Sequence, residues 1–426
     1  MSLLIRRVRV IDPHSGLDDV RNILIDNGTI AALTEADAPL AAAEEIDASG
    51  LWLFPGLIDL AASLREPGED HKATLKSETY AAVASGITTL CYQPEPGANF
   101  DNAAQVKLID DLNRRHPYAN IAVLGNLTQG LKGEQLSNMA SLKRAGCVGV
   151  TNGLQPVANL QILRRAMEYA ATHDLTVFIH PMEQALSAGG YMHEGEVSAR
   201  LGLPAIPSAA ETVAVAQTLA LASHTGARVH FCRLSAKLSV RLIQQGKDSG
   251  LPISADVAAH QVFLTEVDVA DFNPLCHVMP PLRSQRDLEA LRDGLRDGTI
   301  DAICSDHRPH EVDAKLAPFQ QTAPGISALE TLLPLTLRLV EEGVLSLTDA
   351  LRKVTVTPAQ IIGSQAGRIR VGAPADVVLF NPETLWEVNL HTLHSAGKNS
   401  PFGGWSFHGK VQRTWLAGKT VFTAHA

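Results

Sequence analysis

The sequence predicts an α/β fold: a (β/α)8 barrel of parallel strands joined to a small β-sandwich built from both ends of the chain. Three observations carry this expectation. Apolar strand-like runs alternate with helix-like runs through the middle of the chain, which is the pattern of βα units. The alternation lasts about 300 residues, a length that favours a closed barrel over an open sheet. Both ends are instead rich in short strand-like runs and turn dipeptides, so the termini are expected to meet in one discontinuous unit. The boundaries fall at 1–54 plus 368–426 for the β-sandwich and at 55–367 for the barrel.

Taken in chain order, Leu3 to Ile11 alternates apolar and basic residues, the spacing of a half-buried strand. Asn27-Gly28 lies between Ile23-Leu24-Ile25 and Thr29-Ile30 and marks a tight hairpin, because both residues tolerate positive φ. Asp47 to Gly50 then leads into Leu51-Trp52-Leu53-Phe54-Pro55-Gly56. In the middle, strands are expected at Thr88–Tyr92, Ile121–Gly125, Gly149–Thr151, Leu175–His180, Arg228–Cys232, Ile253–Val257 and Ala302–Ser305. Helical stretches between them include Asn159–His173, Ala209–His224 and Arg286–Arg296. Near the C-terminus, Gly372 to Asp376 precedes the apolar run Val377-Val378-Leu379-Phe380, and a hairpin is expected around Ala417-Gly418. Barrels carry their chemistry at the carboxyl ends of the strands. The residues to follow are therefore Arg65, Glu95, Asn152, His180, Arg233, His260 and Asp306.

Composition excludes several classes. Hydrophobic residues make up 45% of the chain and charged residues 19%, so disorder is not its main theme. A net charge of −9 offers no basic excess to neutralise phosphates, and 5% aromatics are too few for base-stacking platforms, so no nucleic-acid partner is expected. The five cysteines are dispersed and form no CxxC pair, which reads as reduced, buried thiols. No apolar run approaches the eighteen or so residues that span a bilayer, and the first residues lack the pattern of a signal peptide. A cytoplasmic protein with no membrane partner is expected.

Three stretches are specific: Pro55-Gly56-Leu57-Ile58-Asp59 through Arg65-Glu66-Pro67-Gly68, Glu194-Gly195-Glu196 through Leu203-Pro204, and Asp301-Ala302-Ile303-Cys304-Ser305-Asp306-His307-Arg308-Pro309-His310. Pro280-Pro281-Leu282-Arg283, Gly367-Arg368-Ile369, Ala373 to Asp376 and Lys398-Asn399-Ser400-Pro401-Phe402 support them. Together, in order and over essentially the whole chain, they resemble the long bacterial dihydroorotases of the cyclic amidohydrolase superfamily. The resemblance implies a barrel of the amidohydrolase type with a sandwich from both termini. It also implies a zinc site of one or two ions, which polarises the ring carbonyl and supplies hydroxide near neutrality. The Glu194–Pro204 stretch is expected in a barrel loop or a subunit contact.

The resemblance places the metal ligands at a His-x-His pair after the first strand, an acidic residue after a middle strand, two later histidines, and an aspartate after the last strand. This chain departs at most of those positions. The His-x-His slot holds Ala61 and Ser63, the acidic slot holds Asn152, and the second later histidine is Arg233. Only His180 and Asp306 remain. Alanine has no donor atom, a serine hydroxyl is a poor zinc ligand, an amide lacks charge, and a guanidinium stays protonated and repels a cation. Two anchors fall short of the three protein ligands a catalytic zinc needs, so no zinc is expected. An alternative set from His180, His230, His260 and Asp306 has no supporting spacing. Substrate positions change too. Arg65, which in the family pairs a substrate carboxylate, is kept, but the neighbouring Asn position is Glu95 and the Asn expected before Pro280-Pro281 is Met279. His260 lies near the site in the family. Two ion pairs are expected inside the old pocket: Arg65 with Glu66, and Arg233 with Asp306 in the volume of the lost metal.

The functional expectation follows from these losses. The chain resembles the silent dihydroorotase homologues that certain bacteria carry beside aspartate carbamoyltransferase. That resemblance implies no catalytic residue beyond a vestigial Asp306, a homodimer within a larger hetero-oligomer, and the transferase catalytic chain as partner. The competing readings are an active cyclic amidohydrolase, with Asp306 as base and Arg65 holding a carboxylate, and a ligand sensor in the vestigial pocket.

Overall fold

The computed structural model describes residues 2–424. Met1, His425 and Ala426, which the sequence assigns to the terminal unit, lie outside the described residues. Eight parallel strands form the barrel: Leu57–Ala62, Ile87–Tyr92, Asn120–Asn126, Gly149–Thr151, Thr176–Ile179, Val229–Phe231, Ile253–Ala258 and Ala302–Cys304. They are hydrogen-bonded in chain order. The ring closes where Ala62 and His307 form a parallel bridge, with Ser63 N donating to His307 O at 2.9 Å and His307 N to Ala61 O at 3.0 Å. The strands are covered on both faces, so they read as continuous apolar runs; all of Ile87–Tyr92 is buried.

The expected elements hold to within about two residues at each end. Helix Leu160–Thr172 starts where the Asn159 side chain accepts from Gln161 N and Ile162 N. Helix Gln285–Asp297 opens on a Ser284–Asp287 capping box and stops at Gly298 in the left-handed conformation, φ 85°. The Glu194–Pro204 stretch is an excursion after the fifth barrel strand: a short helix, Glu196–Leu201, between the paired strands Met192–His193 and Ala205–Ile206. Buried Arg283 pins it by donating to Ile206 O at 2.9 Å. All five cysteines are free and buried. No helix among the described residues is long and apolar enough to cross a membrane.

The terminal unit is one continuous eight-stranded sheet that closes over its own core. Strands from both ends meet at Trp52–Pro55, which lies parallel to Ser2–Asp12 and antiparallel to Val377–Glu387. Val8, Ile23, Leu53, Val377, Leu379 and Trp415 share the enclosed core. The strand Ser2–Asp12 changes neighbour halfway. Leu3–Arg6 pairs with Glu44–Asp47, and Arg9–Val10 pairs with Trp52–Leu53. Between them the register shifts and Arg7 takes φ 54°, the kind of irregularity that bends a strand. Both expected hairpins are present, with φ 49° and 83° at Asn27-Gly28 and φ 46° and 71° at Ala417-Gly418. Their tips meet so closely that a Cβ on Gly418 would lie 2.8 Å from Gly28 Cα.

The chain leaves this sheet after Glu387 and crosses back to the barrel before the strand Ser406–Leu416. Along this strap Ser395 Oγ donates to Glu78 at 2.7 Å, and Ser395 N to Glu330 at 3.1 Å. Asn399 donates to Arg308 O and Gly325 O, both at 3.0 Å, and accepts from His310 N at 2.9 Å. One side chain thus satisfies three main-chain groups of the loop after the last barrel strand. Asn399→Ala is expected to cost about 1–3 kcal/mol, because buried main-chain groups lose their partner. It should also speed amide exchange at residues 308–310. Wild-type exchange there, read by mass spectrometry, would mean that the loop is held by other contacts.

Candidate functional site

The residues singled out at the strand ends converge at the carboxyl mouth of the barrel. Three of them hold left-handed backbone that a side chain disfavours: Arg65 at φ 64°, Arg233 at φ 56° and Asp306 at φ 50°. Such conformations cost of order 1–3 kcal/mol each and persist where the surroundings over-determine them. Here the surroundings are a chain of ion pairs. Lys72 meets Glu69 at 2.5 Å, Glu69 meets Arg65 at 2.7 Å, and Arg65 meets Glu95 at 2.8 Å. Glu95 lies 3.6 Å from Arg308, and Arg308 lies 3.7 Å from Asp306. Asp306 accepts from Arg233 Nη1 at 2.9 Å, and the same nitrogen donates to Gln93 at 3.1 Å.

Arg65 differs from expectation in its partners. Glu66 turns away and its Oε2 accepts from Leu75 N at 2.7 Å, where the exposed N–H groups of a helix N-terminus favour a carboxylate. Arg65 is instead held by Glu69, Glu95, Pro309 O at 3.0 Å and His310 Nε2 at 3.1 Å. Glu95 therefore supplies, from within the chain, a carboxylate partner for this arginine.

Arg233 and Asp306 are 2% and 3% exposed, so theirs is a buried pair. Burial is the largest single influence and opposes the charge on Arg233, but Asp306 together with Cys232, Cys304 and Asp256 outweighs it, and the guanidinium is held above its ordinary pKa. His180 and His260 sit within the electrostatic reach of this pair. Burial first, and then the Arg233 and Arg308 guanidiniums, push His180 well below its ordinary range. Burial brings His260 to about 4, with Asp306 opposing and Arg233 assisting. Both imidazoles are neutral near pH 7, and none of their ring nitrogens has a partner in hydrogen-bond geometry among the described residues. A backbone contact from Cys232 opposes the shift of His180 without reversing it.

The other slots are structural. Ala61 belongs to the apolar barrel interior with Cys91, Phe178 and Cys232. Ser63 is buried and its hydroxyl is unpartnered. The Asn152 amide is fully used: it accepts from Thr128 Oγ1 at 2.6 Å and donates to Leu131 O at 3.1 Å and Gln155 O at 3.0 Å. Met279 packs against the small apolar cluster of Met182, Ile206 and Ala210. These residues do not fit a zinc ion. Two donors remain, one of them already bound to a guanidinium that itself excludes a cation.

Among the described residues, His230, Cys232 and Asp256 form the group whose ligand atoms lie close enough to share a metal. All three are buried. His230 Nε2 lies 3.0 Å from one oxygen of Asp256, and Arg233 N donates to the other. Burial holds the Cys232 thiol well above its ordinary pKa, which disfavours the thiolate a metal would need. The group is spoken for by these contacts.

Arg308, Gln93 and Glu69 complete the network without having been assigned a role from sequence. The available signals were local: an arginine two residues after Asp306, a glutamine two before Glu95, and an acid four after Arg65.

A closed parallel barrel with its polar network at the carboxyl mouth, joined to a sheet from both termini, defines a hydrolase-type α/β architecture. The chain belongs to the amidohydrolase family, whose model matches residues 52–421. It is 44% identical, over 98% of each chain, to a dihydroorotase-like protein of Pseudomonas putida. It is 40% identical, over 99% of this chain and 100% of the relative, to a dihydroorotase of Trichlorobacter lovleyi. The L-hydantoinase of Arthrobacter aurescens superposes with a TM-score of 0.87 over 98% of this chain and 95% of its own, and at 23% identity the likeness is one of fold.

Proposed function

We propose that the chain is a catalytically silent dihydroorotase-like protein of pyrimidine biosynthesis. In this reading it binds no zinc and, as a homodimer within a larger hetero-oligomer in the cytoplasm, supports the catalytic chain of aspartate carbamoyltransferase. The observation that carries the loss of catalysis is the buried Arg233–Asp306 pair, which puts a fixed cation where a hydrolytic metal would act. The Glu95–Arg65 pair supports it by occupying the substrate-carboxylate arginine. The assembly role rests on the family resemblance of the departures. The physical logic is that a partner bound only in its competent state is stabilised by mass action, with no need for chemistry in the binder. An active cyclic amidohydrolase would need Asp306 free to accept a proton and donors arranged for an oxyanion, and Asp306 is tied to a guanidinium.

The test combines metal analysis of the purified chain, turnover of dihydroorotate, and size-exclusion chromatography with light scattering in the presence and absence of the transferase chain. Substoichiometric zinc, no turnover and one large joint particle are expected. Stoichiometric zinc with turnover would remove the silent reading, and a barrel that elutes unchanged beside the transferase would remove the assembly role. Ala61→His with Ser63→His is expected to leave turnover absent, because the Asn152 amide is engaged and Arg233 still fills the site. Recovered turnover in that double variant would show that Arg233 is no obstacle.

A further inference from the structure

We propose that the amino end of the barrel carries a reactive serine site, with Ser254 as nucleophile, His230 as its base, Asp256 orienting the base, and a small neutral ester as substrate. The reading above concerns the carboxyl mouth alone, and this site does not depend on it.

Strand geometry brings the three side chains together. Ser254 and Asp256 are two residues apart on the strand Ile253–Ala258, so they share one of its faces. His230 is the register partner of Ser254 on the neighbouring strand Val229–Phe231. Ser254 Oγ lies 2.8 Å from His230 Nδ1, and His230 Nε2 lies 3.0 Å from one oxygen of Asp256. The other Asp256 oxygen accepts from Arg233 N. An ionised carboxylate only accepts, so Nε2 carries the proton that is donated to Asp256. Nδ1 then holds the lone pair, and the Ser254 hydroxyl donates to it. The Phe178 ring meets the imidazole edge-on at 5.0 Å and fixes its plane. A hydroxyl, a base in hydrogen-bond reach and a third group that orients the base are the parts of an activated serine. Asp256 also meets the imidazolium that forms as the proton moves. Arg233 feels the same carboxylate, but its guanidinium is held by Asp306.

A cavity of about 740 Å3, a size that suits a small molecule, opens onto Ser254 at the starts of the strands. His230 and Asp256 are 0% exposed and Ser254 is half-buried, so the hydroxyl is the reachable end of the chain of hydrogen bonds. The charged residues that line the cavity select no ion. Lys143, Asp174 and Arg228 are exposed; Arg228 meets Asp174 at 2.7 Å, and Lys143 Nζ donates to Asp174 O at 3.1 Å. Asp301 is paired with Lys247 at 2.7 Å. Solvent and salt screen such groups, which leaves a neutral ester as the substrate class. Ser254 Oγ adds to the ester carbonyl carbon while its proton passes to His230 Nδ1. The bond to the alcohol oxygen then breaks, the proton goes to that oxygen, and an acyl-serine remains. Water adds to the acyl-serine by the same route, releasing the acid and restoring the hydroxyl. Thr357 and Gln360, on the helix Val356–Ile361 at the cavity wall, offer a hydroxyl and an amide to the developing oxyanion.

The test treats the full-length chain with diisopropyl fluorophosphate, whose phosphorus takes the serine oxygen as fluoride leaves, and maps the adduct by peptide mass spectrometry. Nitrophenol release from p-nitrophenyl acetate is followed on the same preparation. An adduct on Ser254 and catalysed ester cleavage are expected. Ser254→Ala, which removes a single oxygen, should abolish that adduct and lower nitrophenol release about a hundredfold. His230→Gln, which cannot take up a proton, should slow labelling about a hundredfold with an unchanged far-UV spectrum. No adduct on Ser254, undiminished nitrophenol release by Ser254→Ala, or labelling of a folded His230→Gln chain at the wild-type rate would each overturn the proposal. If His230→Gln does not fold, the wild-type adduct and Ser254→Ala decide it alone. Zinc content and dihydroorotate turnover, which test the silent reading of the mouth, do not enter this result.

Discussion

Replacing Arg233 with methionine is expected to destabilise the chain by about 3–5 kcal/mol, the cost of leaving a buried carboxylate without its partner. The side chain is 2% exposed and its Nη1 donates to Asp306 and Gln93. Methionine fills much of the volume, so the loss reports the charge and not a cavity. The cost belongs to the orphaned Asp306, and the double variant Arg233→Met with Asp306→Asn should therefore recover much of it. Urea denaturation of the four proteins gives the coupling energy directly. If Arg233→Met alone costs less than about 1 kcal/mol, within the range of an ordinary surface change, the pair does not hold the mouth together.

Glu78→Ala is expected to cost about 3 kcal/mol or more, as the donors from His307, Ser395 and Ala396 lose their acceptor at about 1–3 kcal/mol each, while a fourth donor, Ser77 Oγ, keeps Thr74 O as an alternative. Glu78 is 0% exposed and accepts from Ser395 Oγ at 2.7 Å and Ala396 N at 3.0 Å, and His307 Nε2 lies 2.7 Å away. Ala328 N donates to His307 Nδ1, so the network makes Nε2 the protonated nitrogen that donates to Glu78. Burial alone would raise the Glu78 carboxyl; the contacts from His307, Ser395 and Ala396 outweigh it and hold the group below its ordinary pKa. A carboxyl depressed in the folded state gives stability that is fully present above the unfolded pKa, near 4.3, and is lost as pH falls through the folded value. The stability gap between wild type and Glu78→Ala should therefore be constant from about pH 7 to pH 5 and shrink below about pH 4. A gap independent of pH down to the acid limit of folding would contradict the assigned ionisation.

The barrel was legible because its strands are short apolar runs bounded by polar residues. Gly149–Thr151 was found at its expected ends, and Thr176–Ile179 and Val229–Phe231 are each one residue shorter at both ends than their apolar runs suggest. The Arg233–Asp306 contact was legible from residue type, since a fixed cation in a cation slot seeks the remaining anion. What could not be read was which acid Arg65 takes. Glu66 is adjacent in sequence yet serves a helix N-terminus, and Glu95 arrives from thirty residues away, in the loop after the next strand. The continuity of the terminal sheet was hidden for a similar reason. Hairpin signals give each local pair, whereas the shared neighbour Trp52–Pro55 that joins the two ends is set by long-range packing.

The strap through Ser395 and Asn399 has a consequence for what makes the barrel complete. The side chain that fastens the loop behind the eighth barrel strand, Asn399, comes from a segment far later in the chain than the loop it holds. A barrel whose chain stops before Asn399 lacks that fastener, so the eight strands by themselves do not make a finished mouth.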